Sequence, residues 1–251
     1  MFIFGLAFAL AIPAYPQGPD TTFKKLAAQL VEKRLNGEDI KESSQEEVLR
    51  ILDDIVLANL NSSAPDLNTL NARLAKLVAQ EPALGEGYTV VALGTGGPAP
   101  AAPPAYALAA NCGLSGPSAV RVYAGAVGAL KRVARVDAFQ QKDFFDEYLE
   151  VVPLPGAAAV FVTVTGRTDE LQTGSFAAWH LDGENLKLLW STEILEQSSY
   201  DAGPNGFQLT FCAQPDEDRP SVCRQMVRER YVWSGGEWKR AERQPLPAAK
   251  P

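Results

Sequence analysis

The side chains in this chain that could carry reactive chemistry are one histidine, three cysteines and two short acidic clusters. His180 is the only imidazole, so a Ser-His-Asp arrangement has to use it, yet no Gly-x-Ser-x-Gly elbow accompanies it. The run from Leu114 to Ser118 reads as turn chemistry rather than a nucleophile motif. One histidine and three separated cysteines supply a zinc site poorly. Asp143, Asp146 and Glu147 form one acidic cluster, and Asp216, Glu217 and Asp218 the other; both offer carboxylate oxygens that calcium accepts. Neither follows the Asp-x-Asp-x-Asp-Gly spacing of an EF-hand loop. Gly94-Thr-Gly-Gly97 follows a strand-like run, but prolines stand where a phosphate loop needs Gly-Lys-Ser/Thr and a helix N-terminus. The reading therefore assigns no catalytic residue, no metal ligand and no cofactor.

The cysteines point to a covalent staple. Cys212 and Cys223 flank a loop from Gln214 to Pro220 that joins two strand-like runs, and folding that hairpin brings the two thiols within disulfide reach. Closing so short a loop stabilises by roughly 2–3 kcal/mol in the chain-entropy view. Cys112 is left over and reads as a small buried hydrophobe. The apolar, uncharged run from Phe2 to Ile12 is too short to span a bilayer and suits the hydrophobic region of a signal peptide, so residues 1–14 are expected to be a leader. A disulfide and a leader together imply a periplasmic or secreted protein.

The elements that would position these residues come from a repeat. Ala119–Tyr123 with Leu130–Val133, Phe176–His180 with Leu186–Leu189, and Arg230–Trp233 with Trp238–Ala241 share one pattern. Each is an aromatic-tipped strand, a glycine-containing turn, and a return strand with a large apolar residue followed by Lys. The apolar anchors Leu130 and Leu186 lie 56 residues apart, and Leu186 and Trp238 lie 52 apart. A period near 50 marks a supersecondary unit laid down several times. Asp182-Gly183 and Ser234-Gly235-Gly236 supply the positive φ that tight hairpins need. About three units of up to four strands are expected over 88–246: an antiparallel, propeller-blade-like repeat domain forming an incomplete propeller or a sandwich, since closed propellers typically need at least four blades.

Ahead of it, residues 21–84 carry helical periodicity. Phe23, Leu26, Ala27, Leu30 and Val31 make one apolar stripe, stopped at Asn36-Gly37. Val48, Ile51, Leu52, Ile55 and Val56 make a second, with Ser44 and Glu47 as a capping box. Leu67, Leu70, Leu74 and Leu77 make a third, entered near Pro65. The class is α+β, with short N-terminal helices covering a face or edge of the sheets. Residues 247–251 read as a frayed tail. The Gly94–Pro104 stretch is a flexible, polyproline-like loop.

A net charge of −7 argues against nucleic-acid binding. The basic stretches Lys131–Arg135 and Arg224–Arg230 read as solvated strand faces. Asn61-Ser-Ser63 meets the N-glycosylation pattern, for which a chance match is the expected reading. Aromatic residues at matched repeat positions should mostly fill the sheet-to-sheet core, leaving Trp179, Tyr231 and Trp233 as candidate ligand-binding residues. The expected function is an exported, non-enzymatic binding or structural module that meets a protein, peptide or glycan through a preformed β surface. Two alternatives stand beside it: an exported hydrolase using acidic residues such as Asp143, Asp146 or Glu147, with Ca²⁺ as the candidate ion, and a self-associating envelope scaffold.

Overall fold

The computed structural model describes residues 18–38, 42–80, 87–94, 103–112, 118–137, 147–154, 159–167, 172–203, 206–219 and 221–247. The expected leader, Asp143, Asp146, the side chain of Glu147, residues 95–102 of the glycine- and proline-rich stretch and the tail after Pro247 lie outside the described residues.

Among the described residues three helices come first: α1 (Pro19–Leu35), α2 (Glu42–Leu60) and α3 (Leu67–Gln80). Pro19 opens α1, Asp20 sits in its first turn and Lys33 and Arg34 in its last, all matching the helix dipole. Gly37, at φ +72°, lets the chain leave the helix. Helix α2 begins at Glu42, two residues ahead of the cap expected at Ser44. Helix α3 begins after Pro65, because Asp66 is its cap. The Asp66 carboxylate accepts hydrogen bonds from the N–H groups of Asn68 (2.9 Å) and Thr69 (3.3 Å). The three apolar stripes are buried, Phe23, Leu52, Ile55 and Leu74 completely.

Among the described residues, twelve strands follow as three antiparallel sheets of four, each a meander in chain order. Sheet 1 holds β1 (Gly87–Ala92), β2 (Ala105–Asn111), β3 (Ala119–Ala126) and β4 (Ala129–Asp137). Sheet 2 holds β5 (Glu147–Pro153), β6 (Val160–Arg167), β7 (Gly174–Asp182) and β8 (Asn185–Ser191). Sheet 3 holds β9 (Ser199–Gly203), β10 (Gly206–Pro215), β11 (Cys223–Ser234) and β12 (Glu237–Leu246). The fold is thus α+β and mostly β, and no closed barrel or closed ring of sheets is formed among the described residues.

The repeat is visible at the level of register. Leu130 pairs with Gly125, Leu186 with Leu181 and Trp238 with Trp233, each one step beyond a two-residue turn on a fourth strand. Each last hairpin also carries a bulge at the same place. The pairing shifts between Val122 and Tyr123, between Ala178 and Trp179, and between Arg230 and Tyr231. A bulge re-aims the side chains beside it and tightens the local twist, and here the three bulges fall beside Tyr123, Trp179 and Tyr231.

The layers run helices, sheet 1, sheet 2, sheet 3. Alternation along each strand gives every sheet a front face toward the preceding layer and a back face toward the next. Tyr88, Val90, Leu108, Tyr123 and Leu130 on the front of sheet 1 share one core with the helices. Ala107, Ala109, Val120 and Val122 on its back meet Leu149, Val151, Phe161 and Leu181 on the front of sheet 2. Val160, Val162, Val164 and Phe176 on the back of sheet 2 meet Phe207, Leu209 and Tyr231 of sheet 3. The back of sheet 3 breaks this series. Where sheets 1 and 2 carry Val120 and Phe176, then Val122 and Ala178, sheet 3 carries the exposed Arg228 and Arg230. A stacked array needs such a polar outer face where it ends.

Candidate functional site

The bulge aromatics Tyr123, Trp179 and Tyr231 all lie on front faces, but their surroundings differ. Tyr123 is fully buried and donates its hydroxyl to Asp53 of α2 at 2.8 Å. Asp53 also accepts from Arg132 at 2.9 Å. Neighbouring Glu46 takes Arg121 (2.8 Å), Arg132 (3.1 Å) and Arg135 (2.7 Å). Burial raises the Asp53 carboxyl above its ordinary range, against the lowering pull of Arg121, Tyr123 and Arg132. Burial also pushes Glu46 upward, but its hydrogen bond to Arg121 and the charges of Arg121 and Arg135 outweigh this and hold it low. The cluster glues α2 to sheet 1.

Sheet 3 repeats the motif with its own carboxylate. Tyr231 donates to Glu229, which is 4% exposed, and Arg240 (2.9 Å) and Arg243 (2.8 Å) donate to the other Glu229 oxygen. Lys-Arg-x-x-Arg stands at 131–135 and again at 239–243, with a Tyr nine residues ahead of the first Arg in both. That spacing was the sequence signal for both clusters. The stretch Lys131–Arg135 is therefore more than a solvated strand face, since Arg132 serves the buried Asp53, whereas Arg224, Arg228 and Arg230 of the other expected basic stretch are exposed. In sheet 2 the corresponding residues are Trp179, Leu188 and Ser191, and no charge stands there.

A cleft of about 180 Å³ lies between sheets 1 and 2, with Trp179 and Ser191 among its lining residues. Its floor is the front of sheet 2, where Thr163, Thr165, Ser175 and Ser191 replace the apolar residues found further along the same strands, and Thr192 and Trp179 flank them. Val136 and Asp137, at the end of β4, form a wall. The Trp179 indole N–H donates to Thr163 Oγ1 at 3.0 Å, and the Thr163 hydroxyl donates to the Ala177 carbonyl at 3.3 Å. Thr192 Oγ1 accepts from the Phe176 N–H at 3.0 Å. The hydroxyls of Thr165, Ser175 and Ser191 have no partner among the described residues. Asp137 is held by Arg135 of its own strand.

The other two candidate aromatics lie elsewhere. Tyr231 stacks on Trp238 with ring centres 6.3 Å apart and touches Trp190 at 4.4 Å, within the contact of sheets 2 and 3. Trp233 lies 5.6 Å from the His180 ring, on the opposite side of β7 from Trp179. Trp179, Tyr231 and Trp233 therefore do not converge on one site. A second depression, of about 250 Å³, lies on sheet 3 among Asp201, Gly203, Gly206, Gln208, Arg230 and Val232. The hydroxyl floor of the first cleft was missed because alternating Thr and Ser in β6 and β7 is ordinary strand composition. Only the position of the neighbouring sheet reveals which hydroxyls line a cleft among the described residues.

The remaining chemistry is structural. Cys212 and Cys223 form a disulfide across β10 and β11. Asp216 organises the loop between them, accepting from the N–H groups of Asp218 (3.0 Å) and Arg219 (3.1 Å) and from Arg224 (3.1 Å). Its oxygens are thereby engaged in the turn, and no group of three metal-binding side chains occurs among the described residues. The Cys112 thiol is buried, which pushes its pKa up to about 12. No helix among the described residues is long and apolar enough to cross a membrane. No known protein family, curated protein or solved structure matches the chain.

Proposed function

We propose that this chain is a non-enzymatic binding module that works outside the cytoplasm and presents a preformed β surface to a protein, peptide or glycan. The observation that carries this reading is the cleft between sheets 1 and 2. Its walls belong to two packed sheets, so the surface exists before any ligand arrives and little ordering cost attends binding. An open, incomplete propeller of blade-like units supplies the rigidity: each unit turns the same face toward the layer before it. The disulfide supports an oxidising location, periplasmic or extracellular. Arginines on the back of sheet 3 oppose end-on stacking of a second copy, which favours the binding module over a self-associating scaffold.

The test is backbone and indole NMR shift mapping of the intact protein with a mixture of small polar fragments. Perturbations should gather at Thr165, Ser175, Thr192 and the Trp179 indole, and filling the cleft with Ala177→Leu should abolish them while the remaining spectrum is kept. Perturbations scattered over the surface, or gathered at Gly203 and Gly206 of sheet 3, would remove the cleft as the working site.

A further inference from the structure

We infer that the cleft takes one neutral sugar ring, a single pyranose unit of a glycan; this rests on reading the cleft as the binding site. Three observations lead there. First, the floor is the face of a sheet. Main-chain donors and acceptors of β6 and β7 are spent on their strand neighbours, from Val160 with His180 to Gly166 with Gly174. A peptide that binds by strand addition needs an open edge, and β6 and β7, the inner strands of sheet 2 that make the middle of the floor, offer none. The groups that remain are side-chain hydroxyls, which both donate and accept. A ligand rich in its own hydroxyls satisfies that pattern.

Second, the cleft is close to neutral. Its one carboxylate, Asp137, is already paired with Arg135, so a charged ligand meets no free counter-charge among the described lining residues. Anions and free peptide termini are disfavoured on that ground. Third, the size is right for one ring. About 180 Å³ falls below the roughly 300–1,000 Å³ of pockets that enclose drug-sized ligands. Trp179, Val136 and Leu149 give an apolar border for the C–H face of a sugar, and Thr165, Ser175 and Ser191 give hydrogen bonds to its edge. The hydroxyl array is absent from the corresponding face of sheet 3, where Glu229, Arg240 and Arg243 fill the equivalent place.

The experiment is saturation-transfer NMR on the intact, disulfide-bonded protein with methyl glycopyranosides of the gluco, galacto, manno and N-acetylglucosamine series, alongside blocked neutral tripeptides. At least one glycoside should bind with a roughly millimolar Kd, as expected for so few ligand atoms. The double variant Ser175→Ala, Ser191→Ala should weaken it about tenfold or more, the loss of one or two hydrogen bonds. Raising the salt concentration should leave it within about twofold, because no charge is recognised. Unchanged thermal unfolding of the variant shows that the fold is kept. Glycoside binding that ignores the Ser175/Ser191 substitutions overturns the sugar assignment. Tripeptide binding in the same cleft with silent glycosides overturns it too, while leaving the cleft a binding site. Silence from both probe classes removes both readings.

Discussion

The side-chain amide of Asn61 holds both main-chain groups of Leu130, donating from Nδ2 to the carbonyl at 2.9 Å and accepting at Oδ1 from the N–H at 2.7 Å. The amide thus takes the place of a fifth strand along β4, the outer edge of sheet 1. Asn71 does the same to Val90 on β1 (2.9 and 2.8 Å), and Asn111 to Leu149 on β5 (2.9 and 2.6 Å). Three edge strands are therefore each clamped at one residue by an asparagine side chain, which takes hydrogen-bonding groups that another strand would use. Asn61 also heads the Asn-Ser-Ser glycosylation pattern, and its Nδ2 is committed to Leu130.

Asn61→Ala should destabilise the protein by about 1–3 kcal/mol, because Leu130 is buried and its N–H and C=O lose their partner together. Asn61→Asp keeps the acceptor and loses the donor, so it should fall between alanine and the parent. Denaturant midpoints, together with hydrogen exchange at the Leu130 amide, check both; an unchanged exchange rate in the alanine variant refutes the clamp.

The α2 cluster makes a prediction about pH. Asp53 is raised in the folded state, so folding takes up a proton there and this contribution to stability fades as pH rises through its folded pKa. Glu46 is lowered, so its contribution is present at neutral pH and fades as pH falls through its folded pKa. The two oppose each other on acidification. Asp53→Asn removes the compensating member, and its stability should fall more steeply than the parent's between pH 6 and pH 3. Parallel curves of urea midpoint against pH would show that Asp53 does not titrate as described.

Glu229 offers a test of redundancy. Arg240 and Arg243 are each about half exposed, and both donate to the same carboxylate oxygen. Removing one should cost under about 1 kcal/mol, as for half-solvated ion pairs. Removing both strips a buried carboxylate of its counter-charges and should cost about 3–5 kcal/mol, well above the sum of the single changes. A double-mutant cycle with Arg240→Ala and Arg243→Ala reads that excess directly, and additive losses would refute the shared role.

Much of this architecture was legible in the residues. The 56- and 52-residue steps recovered all three last hairpins because hairpins are local: turn glycines and alternation fix them before any long-range packing. Even the bulges follow the same steps. The helix stripes were equally plain, and the third helix starts near Pro65 as read, with Asp66 as its cap, whereas α2 begins at Glu42, two residues ahead of Ser44. What the residues could not show was the stacking order. Thr163, Thr165 and Ser175 look like any strand until Val136 and Asp137 of sheet 1 are seen beside them across a cleft. Glu229 looks like a surface acid until two arginines from the next strand fold over it.

The Cys212–Cys223 bond closes a short hairpin loop, 11 residues apart in sequence, whose shape is also set by Asp216. Because the turn is preorganised by the carboxylate, the bond's main contribution is to the unfolded chain, whose freedom it limits by roughly 2–3 kcal/mol. The variant Cys212→Ser, Cys223→Ser should therefore lose about that much stability and keep native circular dichroism. Thiol titration separates the cysteines further. The oxidised native protein should react slowly at best, since Cys112 is buried. Unfolding without reductant should expose one thiol, and unfolding with reductant all three. Three reactive thiols in unreduced, unfolded protein from an oxidising compartment would show the staple to be absent and would take the export argument with it.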